Sequence, residues 1–473
     1  MHLTPPRFYL LCCTLILSSV LLLTACKQQS QTPSAAASAL IFNMADMHSG
    51  YDNYPKLLHN IDVVAQQKPE AALIFVINGD FFEAGSVVAT RSKGMLDMTF
   101  LNALRSRGEV IFNIGNHDFD VLEMNDFIQQ AQDSGIRVIG TFASQQLQRA
   151  LSPYTDLNLG ERRVRFIGVD TDHPATFPAA LRDALNIPNP LTWLAQHYEP
   201  LAADADDTVL LSHAGLQVDK NILAFLAQQN KAPLYVLGAH DHLSLQTRVA
   251  NIPYLHTTFK GQRLVLVAVN APPKATKMTI SSLLTEAEQG VDEAFAALIV
   301  EQRAEFLTPS DTEIVGKVAK ELSLQEAVDW TLDTMRQFTA ADVALFNHSS
   351  FGSGLAKGPL PRYRFDQFMR FENKLMVANV DGATLNKILA KANQQQLTDI
   401  EKMSGDFVYA NIISPDLGKT YRIVTTDWVA RPTHQMDYLG VAVDFQVVPD
   451  TSIKGLLLHA LATSDLEKVN TAP

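Results

Sequence analysis

Residues 115–120 carry the densest group of side chains that could do chemistry. Their sequence, GNHDFD, places an amide, an imidazole and two carboxylates together, directly after the apolar run at residues 110–112. An isolated stretch of this kind would indicate only a turn, because Asn and Asp side chains satisfy backbone groups in turns and at helix starts. Four more segments have the same form, and this repetition favours a shared chemical role.

Each of those four segments is an apolar run of strand length that continues directly into side chains able to bind a metal. The runs are at residues 40–44, 73–77, 209–211 and 234–237, and the polar side chains that follow them are those of Asp46, His48, Asp80, Ser212, His213, His240 and His242. Such runs are typical of strands that are buried on both faces of a parallel sheet, with helices between them. Ligands bind beyond the carboxyl ends of these strands, so we expect the five segments to meet at one place.

The metal ligands predicted from these segments are two carboxylates, four imidazoles and one amide oxygen: Asp46, Asp80, His48, His213, His240, His242 and Asn116. Imidazole together with carboxylate suits zinc, manganese, iron or cobalt, and the absence of thiolate argues against a structural zinc site. Seven ligands are too many for one tetrahedral ion but suit two ions that share a bridging carboxylate. The chemistry predicted for such a pair is an in-line displacement clamped by two metals.

The five motifs, read in order as D-x-H, GDxxxxGS, GNHDFD, SHxG and GxHxH, resemble those of the calcineurin-like metallophosphoesterases. The forms GNHDFD and GDFFEAGS look like the 5'-nucleotidase and UDP-sugar hydrolase branch of that family. The resemblance implies an α/β chain in two domains: a four-layered metallophosphoesterase sandwich followed by a 5'-nucleotidase-type α/β carboxyl-terminal domain.

The resemblance also implies a role for each matching residue. One divalent metal ion would be bound by Asp46, His48, Asp80 and His242. The other would be bound by Asp80, Asn116, His213 and His240, so that Asp80 bridges the two ions. His117 matches the catalytic imidazole, and Asp120 matches the carboxylate that orients it.

Composition narrows the class of partner. The chain has 473 residues, of which 47% are hydrophobic and 19% charged, and its net charge is -12. This is a globular composition, with acidic and basic residues interspersed and no basic block. A nucleic acid polymer is therefore not an expected partner.

The first residues predict an export signal, assigned to residues 1–25. Arg7 is followed by an almost wholly apolar run that ends in Leu-Thr-Ala-Cys at residues 23–26, which is similar to the lipobox of bacterial lipoproteins. A membrane-spanning anchor is the alternative, but the run is shorter than the roughly 20 residues that span a bilayer comfortably. We expect lipid on Cys26, a flexible tether over residues 26–38, and a location in the bacterial cell envelope, periplasmic or at the outer membrane.

The pattern after the tether predicts a layered α/β domain over residues 39–275. Strands are predicted at the five apolar runs and at residues 164–169 and 264–269, and helices at residues 54–66, 98–106 and 124–135. Two prolines and two lysines at residues 271–277 break this pattern, so the domain boundary is placed there.

Helical spacing over residues 281–303 predicts a linker helix, assigned to residues 276–305. A second domain is assigned to residues 306–473, and within it residues 324–338 predict an amphipathic helix. Its apolar side would hold Ala327, Val328, Trp330, Leu332 and Met335.

The second half resembles the family's carboxyl-terminal domain, in which a nucleobase binds between two aromatic rings. The corresponding rings are those of Phe371 and Trp428, and the matching motifs add Asn347 and Asn373 as substrate-binding candidates. Two facing rings can hold any flat base, because stacking requires only a π face.

Three departures from the family pattern concern the substrate phosphate. The arginine of the family's NxGGxR motif is replaced by Gly352, a second arginine is missing just before Glu326, and a GGDG loop is replaced by residues 432–437. Arginine makes bidentate phosphate contacts that glycine cannot replace. Nucleotide specificity therefore depends on whether another arginine reaches the cleft; the candidates are Arg362, Arg364 and Arg370.

The sequence thus predicts a lipid-anchored phosphoesterase with two metals that hydrolyses a nucleotide or a similar phosphate ester. One alternative is a hydrolase of another anionic ester, namely a sugar phosphate, a pyrophosphate or a sulfur ester. Another is a binding lipoprotein that keeps metals without turnover. The identity of the metals and the oligomeric state stay open.

The lipobox generates the first testable prediction, which concerns Cys26. The variant Cys26→Ser should accumulate as an uncleaved or mislocalised precursor, because the sulfur is the expected site of lipid attachment. Mass spectrometry of the wild-type amino terminus should find lipid on Cys26. An unmodified mature terminus at another residue would refute the prediction.

Overall fold

The computed structural model describes residues 39–144, 147, 151–270, 279–286 and 290–463, with the backbone alone for 144 and 279–286. The predicted signal at residues 1–25, the tether at 26–38 and Cys26 lie outside the described residues, as does the domain boundary predicted at 271–277. Over the described part of the chain, no helix is both long and apolar enough to cross a bilayer.

The amino-terminal half consists of strands and helices in alternation. Its strands are β1 (Ala39–Met44), β2 (Ala72–Asn78), β3 (Glu109–Asn113), β4 (Arg137–Ile139), β5 (Ala143–Ser144), β6 (Tyr154–Leu159), β7 (Arg162–Asp170), β8 (Leu185–Asn186), β9 (Asp207–His213), β10 (Val236–Gly238), β11 (Ser244–Val249), β12 (Ile252–Thr257), β13 (Arg263–Asn270) and β14 (Thr279–Glu286). Its helices are α1 (Tyr54–Gln67), α2 (Val87–Ser92), α3 (Met95–Arg105), α4 (Met124–Asp133), α5 (Pro190–Ala203) and α6 (Leu216–Leu226).

Two six-stranded sheets form the centre of this half. The first sheet has the order β14-β13-β1-β2-β3-β4 and the second has the order β11-β12-β10-β9-β7-β6. β1 to β4 are mutually parallel, as are β7, β9, β10 and β12. The carboxyl ends of the parallel strands within each sheet therefore lie along one edge, which is where the predicted metal ligands follow.

Alternation of buried side chains produces the four layers. In β1, Ile41 packs into the core between the two sheets, whereas Leu40 and Phe42 pack with the helices on the outer face. In β9, Leu211 belongs to the core between the sheets and Leu210 to the core under α5 and α6. Since side chains alternate between the faces of a strand, the apolar residues of each run contribute to two cores.

A strand is found at each of the seven predicted positions, although β10 begins at Val236, two residues into the predicted run at 234–237. The helix predictions for residues 54–66, 98–106 and 124–135 agree with α1, α3 and α4 within three residues at each end. The fold class is also confirmed: a four-layered sandwich is followed by a second α/β domain.

The linker helix predicted from residue 276 to residue 305 is wrong over its first part. Residues 279–286 form β14, which pairs with β13 along its whole length, from Arg263 opposite Glu286 to Asn270 opposite Thr279. A sheet edge offers backbone partners that local helical spacing does not reveal, and this pairing overrides the spacing. A helix begins only at Glu293, after Asp292 accepts a hydrogen bond from the Phe295 amide at 2.9 Å.

The carboxyl-terminal half is a smaller α/β unit. Its strands are β15 (Ile314–Val318), β16 (Val343–Asn347), β17 (Gly358–Pro361), β18 (Lys374–Asp381), β19 (Val408–Ala410), β20 (Thr420–Thr426) and β21 (Gln446–Ser452). Its helices, counted from the linker, are α7 (Glu293–Phe306), α8 (Pro309–Thr312), α9 (Leu324–Thr339), α10 (Arg362–Phe368), α11 (Gly382–Lys391), α12 (Pro432–Leu439) and α13 (Ile453–Thr463). Five of the strands form one sheet of order β19-β16-β20-β18-β21, and β15 pairs with β17.

The amphipathic helix predicted at residues 324–338 is confirmed as α9. Ser323 and Glu326 cap its start reciprocally: each side chain accepts a hydrogen bond from the other residue's amide, at 3.3 and 2.9 Å. All five side chains predicted for its apolar side are buried.

Candidate metal centre

Six of the seven predicted metal ligands form two groups at the carboxyl edges of the two sheets. Within each group, three ligand atoms lie within 4.8 Å of one another. The first group is Asp46, His48 and His242, and the second is Asp80, His213 and His240. Each group draws on both sheets, so the edge where the sheets meet positions all six side chains.

The Asp80 carboxylate belongs to the second group and also faces the first. Its Oδ2 is 3.1 Å from His213 Nε2 in its own group and 3.9 Å from His48 Nε2 in the other. Its Oδ1 accepts a hydrogen bond from the His117 amide at 2.8 Å. This placement suits the bridging carboxylate expected from the sequence.

Asn116, the seventh predicted ligand, joins the second group. Its Oδ1 lies 3.0 Å from His240 Nδ1, and its Nδ2 donates to the Thr176 carbonyl at 3.1 Å. Because the amide nitrogen is engaged by that carbonyl, the oxygen is turned toward the imidazole ligands. The structure therefore brings all seven predicted ligands together.

Hydrogen bonds orient the imidazole rings as metal ligands require. His213 Nδ1 lies 2.8 Å from the Asn78 carbonyl, which can only accept, so Nδ1 carries a proton and Nε2 is the nitrogen that faces Asp80. His48 Nε2 and His242 Nε2 face each other at 3.0 Å. Two facing ring nitrogens can share either one proton or one metal cation. A shared cation is consistent with the Asp46 carboxylate beside them, which would be a third ligand.

The pKa values of these histidines shift in opposite directions, because burial and the neighbouring carboxylate oppose each other. Burial lowers the pKa of His48 and of His242 well below that of a free imidazole, so both rings are neutral and offer lone pairs. Burial also opposes charge on His213, but the adjacent Asp80 carboxylate outweighs it and raises the pKa of His213 to about 10. Metal binding at Asp80 and His213 therefore displaces a proton.

Backbone strain is concentrated at the same residues. Positive φ angles of 50°, 41°, 53°, 80° and 58° occur at Asp46, His48, Asp80, His240 and His242. Left-handed backbone is uncommon for residues other than glycine and costs free energy that the surrounding structure must supply. The loops therefore hold their side chains in one direction instead of relaxing, as a preformed site for two divalent cations requires.

Two glycines allow the ligand loops to approach each other. A Cβ atom on Gly79 would lie 2.2 Å from His213 Nδ1, and one on Gly115 would lie 2.5 Å from the amide nitrogen of Asp80. Gly79 also has a φ of +76°. The glycines of the GD and GNHD motifs are thus required by packing around the ligands.

Asp118 holds the two ligand loops together, and sequence reasoning did not single it out. Its carboxylate accepts hydrogen bonds from the amides of Phe81 at 2.7 Å, Asp80 at 3.2 Å and Gly115 at 2.6 Å. Burial, with the neighbouring Asp80, raises the pKa of Asp118 to about 7 in spite of these donors. It lies in the GNHDFD motif, where residue type alone does not distinguish a carboxylate that accepts backbone hydrogen bonds from one that binds a metal.

His117 and Asp120 form a pair beside the ligand groups. His117 Nδ1 lies 2.6 Å from Asp120 Oδ2, and the ring lies edge-on to that of His48 at 5.3 Å between centroids. Burial opposes charge on the ring, but Asp80 and Asp120 outweigh it and raise the pKa of His117 to about 9. The ring is thus held in one orientation as a proton donor, with Nε2 on its opposite side.

His348 is a second residue that sequence reasoning missed. It comes from the carboxyl-terminal half, and its Nε2 lies 2.9 Å from the carbonyl of Asp241, between the ligands His240 and His242. Its Nδ1 lies 3.1 Å from the Phe407 carbonyl, and the two rings stack at 4.2 Å. His348 therefore connects the second domain to a ligand loop; a lone histidine after a strand gave no signal for this.

The aromatic pair predicted to stack on a base is on the surface. Phe371 is 42% and Trp428 is 37% exposed. Each ring already has a cation of this chain over it, with Arg370 Cζ 5.1 Å from the Phe371 centroid and Arg431 Cζ 5.0 Å from that of Trp428.

The two asparagines predicted to bind substrate have internal contacts. Asn347 is buried and donates to Ser349 Oγ at 3.1 Å. Asn373 is half-buried, and its carbonyl accepts a hydrogen bond from the Ile453 amide at 2.8 Å. These contacts position the loops beside Phe371 and Trp428 and leave the substrate-binding role of the asparagines a prediction.

The two halves of the chain match two different family models. Residues 40–244 match the calcineurin-like phosphoesterase model, and residues 315–409 match the model of the 5'-nucleotidase C-terminal domain. The first range includes all seven ligands together with His117 and Asp120. No sequence among the curated proteins matches the chain.

Solved structures share the fold over almost the whole chain. A 5'-nucleotidase precursor from Thermus thermophilus is 18% identical, with 89% of this chain and 96% of that chain covered and a TM-score of 0.59. A sulfate thiohydrolase from the same organism is 12% identical, with coverage of 90% and 94% and a TM-score of 0.60. A 5'-nucleotidase from Candida albicans is 14% identical, with coverage of 90% and 98% and a TM-score of 0.56. At these identities the likeness is one of fold.

The position of Asp80 between the two groups generates a prediction about metal content. Elemental analysis of the wild-type chain after metal saturation should find two ions, and Asp80→Ala should lose both. The exposed residue in Asp444→Ala serves as a control that should keep two. A wild-type chain that binds one ion at most would contradict the dinuclear centre.

The His117–Asp120 pair generates a prediction about turnover. His117→Ala should keep its metal ions and its circular dichroism spectrum, because the ring is not placed as a ligand. General acid catalysis is worth roughly a hundred- to ten-thousand-fold in rate, so kcat on an aryl phosphate should fall by about that factor. The control is His459→Ala, on the exposed side of α13. Wild-type turnover in His117→Ala would make the ring structural.

Proposed function

Since the chain belongs to the calcineurin-like phosphoesterases, metal-dependent phosphoester hydrolases, and carries a 5'-nucleotidase carboxyl-terminal domain, we propose that it hydrolyses nucleotides or nucleotide-like phosphate esters in the bacterial cell envelope. The observation that carries this proposal is the pair of ligand groups with His117 and Asp120 beside them. The envelope location is supported by the leader and lipobox at Cys26.

Two bound divalent cations would supply Lewis acidity, which lowers the pKa of water and neutralises charge on the phosphoryl oxygens. Asp46, His48, Asp80, Asn116, His213, His240 and His242 are the residues that would hold them. Strained loops, and hydrogen bonds from neighbouring residues, hold these side chains in their orientations. Little reorganisation is therefore needed when the cations and the substrate bind.

His117 would act on the leaving group. In the proposed reaction a water oxygen forms a bond to phosphorus, the bond from phosphorus to the ester oxygen breaks, and His117 gives its proton to that oxygen. One of the water's protons then passes from the phosphate formed to His117 and restores it. Asp120 holds the ring through Nδ1, so Nε2 is the nitrogen that carries this proton. The products are inorganic phosphate and an alcohol, the nucleoside in the case of a nucleotide.

The nucleotide part of the proposal is supported by the exposed rings of Phe371 and Trp428. Both belong to the second domain, and Phe371 directly follows Arg370, which pairs with Glu83 beside the ligand His48. A base stacked on Phe371 would therefore lie near the metal centre. Stacking is worth roughly 1 to 3 kcal/mol per base and is tolerant of base identity.

One observation favours the alternative of another anionic ester. The Trp428 ring has His434 at 4.3 Å between centroids and Arg431 over it, and its Nε1 lies 3.3 Å from the Tyr438 hydroxyl. These internal contacts would compete with a base for the ring. A sugar phosphate, a pyrophosphate or a sulfur ester would not need the ring.

Kinetics on nucleoside monophosphates and on simple alkyl phosphates distinguishes the two substrate classes. Phe371→Leu and Trp428→Leu remove the π face and keep apolar bulk. Each should raise KM for nucleotides by about 5- to 150-fold, the equivalent of the stacking energy, and leave KM for alkyl phosphates unchanged. Phe338→Leu, which changes a ring that is 52% exposed on α9, is the matched control. If both variants behave as wild type on every nucleotide, the cleft serves another ligand.

A further inference from the structure

Arg370 is a buried cation beside the metal-ligand groups. Its side chain is 4% exposed and pairs through Nη2 with Glu83, whose own side chain is 8% exposed. Nη1 donates to the Ser349 carbonyl at 3.1 Å, and Nε has no hydrogen-bond acceptor in the described part of the chain. A buried donor without an acceptor costs free energy, so an acceptor is missing from this site.

Lys260 brings a second cation to the same cavity. The cavity is lined by His48, Glu83, Lys260, Asp366, Gln367 and Arg370, among others. Lys260 is 9% exposed, and its Nζ forms no hydrogen bond and no ion pair with the residues that the structure describes.

The carboxylates around the cavity do not balance these cations. Glu83 is paired with Arg370, and Asp366 is paired with Lys454 at 2.7 Å. Lys260 therefore has no carboxylate within salt-bridge distance among the residues that the structure describes. The cavity suits an anionic ligand, and the metal ligand His48 is part of its wall.

Gly352 explains why the cations come from these two positions. A Cβ atom at residue 352 would lie 2.1 Å from the Gln367 carbonyl oxygen and 2.6 Å from Lys260 Nζ. No side chain fits there unless the backbone moves. The arginine that the family pattern places at this position is thus excluded by packing, and the ammonium group of Lys260 lies where its side chain would begin.

The other candidate arginines are engaged elsewhere. Arg362 pairs with Glu313 at 3.2 Å, and Arg364 pairs with Asp52. Neither lines the cavity.

We propose that Lys260 and Arg370, one from each half of the chain, form the subsite that binds the tetrahedral oxyanion of the substrate, a phosphoryl or sulfuryl group, beside His48. This inference rests on the proposed function for its substrate class. Lys260 would contribute a point charge, and Arg370 would donate from Nε while Glu83 holds its other side. The subsite replaces the missing family arginine with two groups that lie far apart in the sequence.

Calorimetric titration of inorganic phosphate, and separately of sulfate, into the metal-loaded chain tests this subsite. Lys260→Met keeps the apolar stem and removes the ammonium group. The Kd for both anions should rise by about 10- to 150-fold, as expected for a lost charge-assisted hydrogen bond. The melting temperature without anion should stay the same or rise, because Lys260 has no partner to lose among the described residues. Lys357→Met, at an exposed lysine, should leave the Kd unchanged.

The contribution of Arg370 is tested in the double variant Arg370→Met with Glu83→Gln, which avoids leaving a buried carboxylate unpaired. Its Kd for phosphate should rise by a similar factor relative to Glu83→Gln alone. Wild-type affinity for both anions in Lys260→Met and in the double variant would overturn the subsite and leave the proposed hydrolysis untouched. Conversely, a chain that hydrolyses no phosphate ester but binds phosphate or sulfate through Lys260 would support the subsite and contradict the nucleotidase proposal.

Discussion

The buried amide of Asn78 is the contact on which the geometry of the centre depends. Asn78 ends β2 in the first sheet, and its Nδ2 donates to the carbonyls of Ser212 at 3.1 Å and Leu237 at 2.9 Å in the second sheet. Its own carbonyl lies 2.8 Å from His213 Nδ1. Two sheets packed only by apolar side chains could slide, whereas these directional bonds fix one sheet edge against the other. The metal ligands lie at or after the ends of these strands, so their positions are fixed as well.

Binding of metal ions accounts for features that would otherwise only destabilise the fold. Five ligand residues have left-handed backbone, and neutral His48 and His242 face each other within a group that includes the buried Asp46. Strain and unpaired buried polar groups each cost on the order of a kilocalorie per mole or more. Cations that bind the folded chain in preference to the unfolded chain offset this cost by mass action, so stability and metal occupancy should be linked.

The sequence predicted the residues whose roles can be seen from a short local pattern, and it did not predict those whose roles depend on tertiary contacts. Asp46 and Asp80 come just after largely apolar strands and His213 ends one, so residue type and position along a strand were enough to bring them together. For Asp118, the sequence could not show whether the carboxylate binds a metal or accepts hydrogen bonds from the two ligand loops. Arg370 pairs with Glu83 across 287 residues, and β14 forms through pairing with β13, so both depend on tertiary contacts that no local pattern contains. The sequence did not indicate the proposed anion-binding role of Lys260, because that role depends on Gly352 and Arg370 in the other half of the chain.

The central claim is that the adjoining edges of the two sheets hold two cations joined by Asp80, and anomalous diffraction from crystals of the metal-loaded chain tests it most directly. Data collected at the absorption edge of the bound metal should show two peaks. One should lie among Asp46, His48 and His242, the other among Asp80, His213 and His240, with the Asp80 carboxylate between them. A single peak, or peaks outside these two groups of residues, would contradict the account.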